Sequence, residues 1–408
     1  QVQDQTLRSV ADLLYFVPGA TPGTGESNRD QFTLRGNNTT ADLFIDGVRD
    51  DAQYFRDFYN IERIEVLKGP NAMIFGRGGG GGVVNRVLKR PSLATHRELI
   101  AATSSEGGVR LAGDLDQAIG GNAGLRLNAL YEDGRSFRRH VRLERYGLSP
   151  SAAVQLSPAT RIDLAYEYFH DDRTADRGIP AEFDRPLRGY DRTFFGDPRK
   201  SRSKADVHNG SALIQTDLGG GFTLRNRTSL ARYDKYYANI FPSNLDEATS
   251  EVVLGAYSLL TDRTNAFNQT DLVREGAIAG IDQTLLVGVE LGRQWSRNRR
   301  LSGTIVGGNR VPLADPTVDV DVIFAPAASD ANNRTRADIA AIYAQSQLRP
   351  ARWLEIVAGA RLDRFRLNVD DLRGAGAEFR RTDTLVSPRL GMILKPSERL
   401  SFYASLSR

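Results

Sequence analysis

Residues able to do chemistry are thinly spread over the 408 positions. The four histidines, His96, His140, His170 and His208, stand 30 or more places apart, so no two share the i, i+4 face that holds a metal, and a resident metal site is not expected. Cysteine is absent, which removes disulfides, thiolate sites and cysteine nucleophiles. The doublets Asp50-Asp51, Asp171-Asp172 and Asp370-Asp371 fall where strand-like segments meet loops, and solvated strand ends explain them better than paired catalytic carboxylates. No G-x-S-x-G elbow occurs. Gly76-Arg77-Gly78-Gly79-Gly80-Gly81 satisfies G-x-G-x-x-G, but a dinucleotide site needs a helix after the glycines and Val83 to Val87 reads as a strand. The run is better taken as a turn whose glycines permit close packing or rearrangement. The expectation is a protein that is not an enzyme and has no cofactor.

The one abundant reactive type is arginine, 48 residues against 6 lysines. Its planar fork suits carboxylates and phosphates in a wet lumen or at lipid head groups, and its even spread argues against a nucleic-acid surface. No apolar run nears the roughly 18 residues of a membrane helix. A mean hydropathy of −0.39 remains compatible with a membrane barrel, whose strands are apolar on one side only. From about His96 onward the pattern is of that kind. Leu125, Leu127, Ala129 and Tyr131 share one face; Ile162, Leu164, Tyr166 and Tyr168 another; Leu354, Ile356, Ala358, Ala360 and Leu362 a third, with charged and polar residues between them. Short turns at Gly120-Gly121-Asn122, Ser157-Pro158-Ala159, Gly219-Gly220-Gly221 and Pro396-Ser397-Glu398 alternate with long polar stretches at 173–204, 238–251 and 299–333, the two unequal rims of an outer-membrane barrel.

The first ninety residues differ. Leu7, Val10, Leu14 and Val17 mark a helical face over Thr6 to Phe16, closed by Pro18-Gly19. Short strands are predicted at Gln31 to Arg35, at Asp42 to Asp46, around Ile61 to Val66 and at Val83 to Val87. The ordered segments Phe32-Thr33-Leu34-Arg35-Gly36, Leu43-Phe44-Ile45-Asp46-Gly47, Asn60-Ile61-Glu62-Arg63-Ile64-Glu65-Val66-Leu67-Lys68-Gly69-Pro70 and Phe75-Gly76 resemble the plug of TonB-dependent outer-membrane receptors, specifically the siderophore-receptor branch. The resemblance implies a mainly β protein, with an α+β plug over 1–91 followed by an antiparallel transmembrane β-barrel over 92–408. About a dozen strands are legible. A ninety-residue plug is about 30 Å across, whereas twelve strands close to roughly 24 Å and twenty-two to roughly 44 Å. The expectation is therefore about 12 of some 22 strands, with plug and barrel both truncated.

The resemblance also implies roles. Arg35 and Lys68 would lock plug to barrel by pairing with wall glutamates, with a surface salt bridge within the plug involving Glu62, Glu65 or Arg63 as the alternative. Asn37, Asn38, Arg49, Asp51, Gln53, Tyr54, Phe55 and Arg56 would lie on outward loops that floor the ligand site, where arginine and aromatic rings suit a bulky anionic chelate. Gly36, Asp46, Gly47, Glu62, Arg63, Glu65, Gly69, Pro70 and Gly76 carry the plug motif. The implied function is import of ferric siderophores into the periplasm of a Gram-negative bacterium. The implied partners are the siderophore, TonB with its inner-membrane energising complex, and outer-membrane lipid and lipopolysaccharide, about a monomeric receptor. A receptor for cobalamin or an oligosaccharide, or a non-transport adhesin or enzyme barrel, are the rival readings.

Overall fold

The computed structural model describes residues 7–23, 25–69, 76, 80–374 and 376–407. The segment expected to be helical forms one turn and a half, α1 (Val10–Leu14), capped by Ser9, whose Oγ accepts from Asp12 N while the Asp12 carboxylate accepts from Ser9 N. It is shorter than its apolar spacing predicts because the next bonds tighten to i−3, from Phe16 N to Leu13 O and Val17 N to Leu14 O, ahead of Pro18.

Seven short strands complete the plug. β1 (Ala20–Gly23), β2 (Gln31–Leu34) and β3 (Asn37–Thr39) form one sheet. β4 (Leu43–Ile45), β5 (Val48–Arg49), β6 (Ile61–Lys68) and β7 (Gly82–Leu88) form a second in the order β5-β4-β7-β6, with β4 and β7 parallel. Two motif pairs set the hairpins: Arg35-Gly36 and Asp46-Gly47 all have positive φ and form two-residue connections between Leu34 and Asn37 and between Ile45 and Val48. That is the backbone geometry for which Asp-Gly is selected. The apolar interior (Val10, Leu14, Phe32, Leu34, Leu43, Ile45, Phe58, Ile61, Val84 and Leu88) belongs entirely to the plug.

A single antiparallel sheet follows. Its path runs β8 (His96–Thr103), β9 (Val109–Ile119), β10 (Ala123–Arg135), β11 (Arg142–Ser157), β12 (Thr160–Thr174), β15 (Arg202–Gly219), β16 (Phe222–Asp246), β17 (Glu251–Ile278), β18 (Ile281–Ile305), β21 (Asn332–Ala351), β22 (Leu354–Asp371), β23 (Glu378–Ser397) and β24 (Leu400–Ser407). Within the long connections lie the hairpin β13 (Ala181–Glu182) and β14 (Arg185–Pro186), and β19 (Arg310–Pro312) and β20 (Val322–Ala325), which pair with β17 and β18. Among the described residues β8 and β24 end the path without pairing to each other, so the wall is open.

Two loop expectations are corrected. The stretch 238–251 is mostly strand, since β16 runs to Asp246 and β17 starts at Glu251, and 299–333 begins as strand to Ile305. At about 3.3 Å per residue the 28 residues of β17 reach roughly 90 Å, far more than an apolar band of about 25 Å requires. The excess lies on the long-connection rim, where apolar residues such as Ile240, Phe241 and Leu245 no longer alternate regularly with polar ones, which hides the strand from a composition-based reading. No helix of the described residues is long and apolar enough to cross a membrane.

Candidate functional site

The loop between β5 and β6 is where plug and wall meet, and burial there falls on charged residues. Arg56 is 1% exposed. Its Nε donates to Asp50 Oδ2 at 2.8 Å, Nη1 to Asp30 Oδ2 and Tyr54 O, and Nη2 to Asp50 O and Ala52 O at 2.7 Å each. All five donors are thus accepted within the plug. Contrary to the exposed, ligand-facing placement expected of them, Arg56 and Tyr54 are interior residues that fold the loop around a guanidinium. Asp50 also accepts from Arg86 Nη2 at 2.6 Å and from the hydroxyls of Tyr54 and of wall residue Tyr233. Burial alone would raise the Asp50 carboxyl, but Arg56 and Arg86 outweigh it and hold it down at about 2. For Asp30 burial prevails over Arg56, and its carboxyl is pushed up.

Neighbouring acids repeat the contact. Asp57 receives both terminal nitrogens of Arg110, at 2.8 and 2.9 Å, and Arg145 at 3.0 Å; Glu132 closes the group by accepting from both arginines. Burial opposes the charge on Asp57, yet Arg145 and Arg110 keep its carboxyl low. Asp51 is bonded by Arg263, and by Gln294 at 3.0 Å. Tyr59 and Asn60 donate to Glu167 at 3.1 and 2.8 Å. Wall residue Gly147 makes room for Tyr59, since a Cβ there would stand 2.7 Å from its ring. Below, Lys89 reaches Asp114, Arg126 donates to Arg90 O, Arg161 to Pro91 O, and Ser92 to Asp116.

The lock therefore runs mainly from plug carboxylates to wall arginines, whereas Arg35 and Lys68 were expected to supply the cations. Both of these are exposed, and neither forms an ion pair with a described residue. Arg35 is the first residue of a positive-φ turn, its N bonded to Gly19 O. Of the other expected residues, Asn37 and Asn38 are exposed, with Asn38 bonded to Gln31 and Thr33. Gln53 donates to Thr40, and Arg49 donates to Ala41 O and lies 4.8 Å from the Phe44 ring. Asp46 accepts from Leu88 N and Arg90, Gly47 N donates to Asn85, and Asn85 donates to Glu65, which also accepts from Arg63. Glu62 approaches Arg126 at 3.8 Å, and Gly69 N donates to Gly81 O. Gly76 abuts Arg361, 2.8 Å from where a Cβ would be. Pro70 and the glycines at 78 and 79 lie outside the described residues, and β7 after them is a strand, not the helix a dinucleotide site needs.

Above this lock the inward face of the wall carries residues that were not singled out from the sequence. Arg173, Ser203, Tyr237, Leu259 and Arg300 form one register row across β12, β15, β16, β17 and β18. Arg173 lies 3.8 Å from the ring centre of plug residue Phe55, Arg300 stands 4.0 Å from that of Tyr257, and Arg177 is 4.1 Å from that of Phe241. Tyr257 joins Tyr237 and Phe241 at ring distances of 5.3 and 6.0 Å, and Tyr237 donates to Glu26 O of the plug. Arg173, Arg177, Ser203, Phe241 and Arg300 lay in stretches read as loop, whereas Tyr237, Tyr257 and Leu259 lay outside them. The ligand atoms of His96, Glu98 and Asp114 lie within 4.8 Å of one another, but Asp114 is already held by Lys89 and Arg126.

An α+β plug seated by a polar interface against an antiparallel, unequal-rimmed wall defines a plugged-barrel receptor. Residues 1–83 match the family described as TonB-dependent Receptor Plug Domain, and residues 147–408 that described as TonB dependent receptor-like, beta-barrel. The chain belongs to the TonB-dependent receptors, a family of transport receptors whose siderophore receptors are outer-membrane proteins of Gram-negative bacteria. It is similar to the catecholate siderophore receptor Fiu of Escherichia coli K12, with 29% identity over 93% of this chain and 53% of that protein. It is also similar to the probable TonB-dependent receptor BfrD of Bordetella pertussis, with 27% identity over 99% and 59%. The chain thus spans a little over half the length of these relatives. Among solved structures, the siderophore receptor PiuA of Acinetobacter baumannii superposes with a TM-score of 0.91 at 21% identity, covering 100% of this chain and 62% of that one. The closed form of Escherichia coli Fiu gives 0.87 at 23% identity, over 100% and 64%.

Proposed function

We propose that this chain forms the plug and part of the wall of a receptor that binds a ferric siderophore and passes it into the periplasm. The chelate is of the anionic, aryl-bearing class to which catecholates belong. The observation that carries the ligand class is the set of arginines lying against aromatic rings above the lock, Arg173 with Phe55, Arg177 with Phe241 and Arg300 with Tyr257. Such surfaces attract negative charge while offering flat apolar faces. The 29% relative named as a catecholate receptor points the same way. Iron arrives already chelated and the protein supplies no ligand to it, so no resident cofactor and no catalytic step are involved. TonB and its inner-membrane complex provide the work, about a monomeric receptor embedded in outer-membrane lipid and lipopolysaccharide.

The test uses a receptor-deletion strain complemented with the whole gene, fed radioactive iron as a catecholate or a hydroxamate chelate, and radioactive cobalamin. Catecholate uptake restored by the gene and weakened about tenfold or more in half-saturating concentration by Arg173→Gln with Arg300→Gln supports the reading. Restored uptake of hydroxamate or cobalamin alone refutes the ligand class, and no restored uptake of any chelate refutes siderophore transport.

A further inference from the structure

Side chains alternate along β16, and Tyr233 and Tyr237 both reach inward to the plug, to Asp50 and to Glu26 O, so Lys235 between them points inward as well. It is only partly exposed, and it forms no ion pair with a described residue. Two acids face it, Glu26 from the plug and Asp171 from β12, the latter in the register row Asp171, Ala205, Lys235. Both acids are already engaged. Glu26 holds Arg29 at 3.0 Å and Arg177 at 3.6 Å, and Asp171 accepts from Arg173 Nε at 2.7 Å. Two cations also face the amine, Arg29 from the plug segment that carries Glu26 and Arg56 from the loop between β5 and β6. On its own strand Tyr233 and Tyr237 stay protonated, since burial raises both hydroxyls, and its strand neighbours Ala205 and Thr261 add no charge.

The position is beside the cargo floor. Lys235 lies about thirteen residues along β16 from its short-turn end at Phe222, roughly 34 Å of height at about 3.4 Å per residue and a tilt near 40°. It therefore stands clear of a membrane band about 25 Å tall. Tyr237, about 7 Å further along the same face, belongs to the row of Arg173, Ser203, Leu259 and Arg300. Burial opposes a charge on the Lys235 amine and Arg29 and Arg56 add to that against Glu26 and Asp171, so its pKa falls from an ordinary 10.5 to about 7. Near neutrality the amine is thus only half charged, whereas an anion seated against it restores the full charge.

We propose that Lys235 contacts the anionic chelate and takes up a proton from solvent as that chelate binds, so that the receptor holds its cargo more tightly in mildly acid than in alkaline surroundings. The proton returns to solvent when the cargo leaves. An arginine at this position could not act so, because a guanidinium keeps its charge throughout. Arg173, Arg177 and Arg300 attract an anion at every pH, and Lys235 makes part of the attraction conditional on protons. The inference rests on the reading of the cargo as an anionic ferric chelate.

The experiment uses the whole receptor in detergent and the ferric complex of a hexadentate tris-catecholate. Binding is followed by calorimetry from about pH 6 to about pH 9 in buffers of different ionisation heat, with Lys235→Arg and Lys235→Gln alongside. The parent should take up about half a proton per chelate at pH 7 and close to one above it, losing affinity by up to about tenfold per pH unit. Lys235→Arg should keep the parent's affinity at pH 6 across the whole range, and Lys235→Gln should be equally flat but about tenfold weaker at pH 6. Protons exchanged by the chelate itself are common to all three proteins and cancel in the differences. Equal proton uptake in the parent and in either variant would overturn the proposal, as would Lys235→Gln binding within twofold of the parent at pH 6. Chelate binding without uptake at Lys235 leaves the transport reading standing, whereas no binding by the parent at any pH refutes that reading and this inference with it.

Discussion

Replacing Asp50 by Asn removes one negative charge from a site where Arg56 and Arg86 are both essentially buried. Carrying that carboxyl from an ordinary 3.8 down to about 2 corresponds to roughly 2 kcal/mol of preference for the ionised form in the folded plug, at about 1.4 kcal/mol per tenfold. Leaving buried cations without a partner raises such costs toward about 3–5 kcal/mol, so the lower figure is a floor. The loss is expected in local opening of the loop, read by hydrogen–deuterium exchange of the whole receptor at neutral pH. The reporter amides are those of Asp30, bonded to Tyr54 O, Asp50, bonded to Leu43 O, and Arg56, bonded to the Asp30 carboxylate. About 2 kcal/mol is roughly a thirtyfold fall in their protection, with amides of β17 and β18 unchanged. Asp30→Asn should cost far less, because burial already disfavours its charge and the amide oxygen can still accept from Arg56 N. Protection within threefold of the parent in Asp50→Asn, or a larger loss in Asp30→Asn than in Asp50→Asn, would refute the charge accounting.

Acid should act through the same groups. Asp50 and Asp57 have lowered carboxyls, so their contribution is full above the ordinary carboxylate value near 4 and is lost as pH falls, for Asp50 through about 2. Asp30, whose carboxyl is raised, contributes in the opposite sense, losing stability as pH rises through its folded value. Loop protection should accordingly hold from neutral pH to about 4 and collapse below, as exchange at stepped pH would show. Gly147→Ala should push the Tyr59 ring off Glu167 at roughly 1–3 kcal/mol, visible as faster protease cutting of the plug, and Tyr59→Leu in the same chain should relieve it. Arg35→Ala and Lys68→Ala should each leave thermal unfolding within about 0.5 kcal/mol of the parent; a loss above 2 kcal/mol would mean that they have partners beyond the described residues.

The plug was legible because its hairpins demand particular residues: Asp46-Gly47 and Arg35-Gly36 sit in a conformation few other pairs tolerate. The wall was legible because one apolar side forces strict alternation, as at Leu125 to Tyr131. Where that constraint lapses above the membrane band, at 238–251, the apolar residues Ile240, Phe241 and Leu245 fall on both faces around Pro242-Ser243-Asn244 and the strand looked like loop. The carboxylate–arginine contacts went unread for a different reason. A sequence shows that Arg35 and Lys68 are cations, but not that Asp50, Asp51 and Asp57 lie across from Tyr233, Arg263, Arg110 and Arg145, residues 53 to 212 positions away. Burial of Arg56 was invisible because its acceptors are three carbonyls and two carboxylates contributed by its own loop and by Asp30.

The distribution of apolar and polar contacts bears on how a plug could move without unfolding. Its own interior, from Val10 to Leu88, takes only Ala165 from the wall as a packed neighbour, so displacing the plug leaves that core intact. The surface it would slide from is rich in hydrogen bonds and ion pairs; one of its apolar patches carries tyrosines whose hydroxyls reach Asp50 and Glu167, and another seats Val48 against Phe267, Ala337 and Ile339. Water entering such an interface replaces each bond at a net cost of about 0.5–1.5 kcal/mol, and the bonds can yield one after another. Separating the core strands would instead expose apolar area at about 25 cal/mol per Å² all at once. A steady pull should therefore shear plug from wall, or rearrange the part held most weakly, before it opens the plug's interior. That ordering suits a device driven mechanically and reset after each passage.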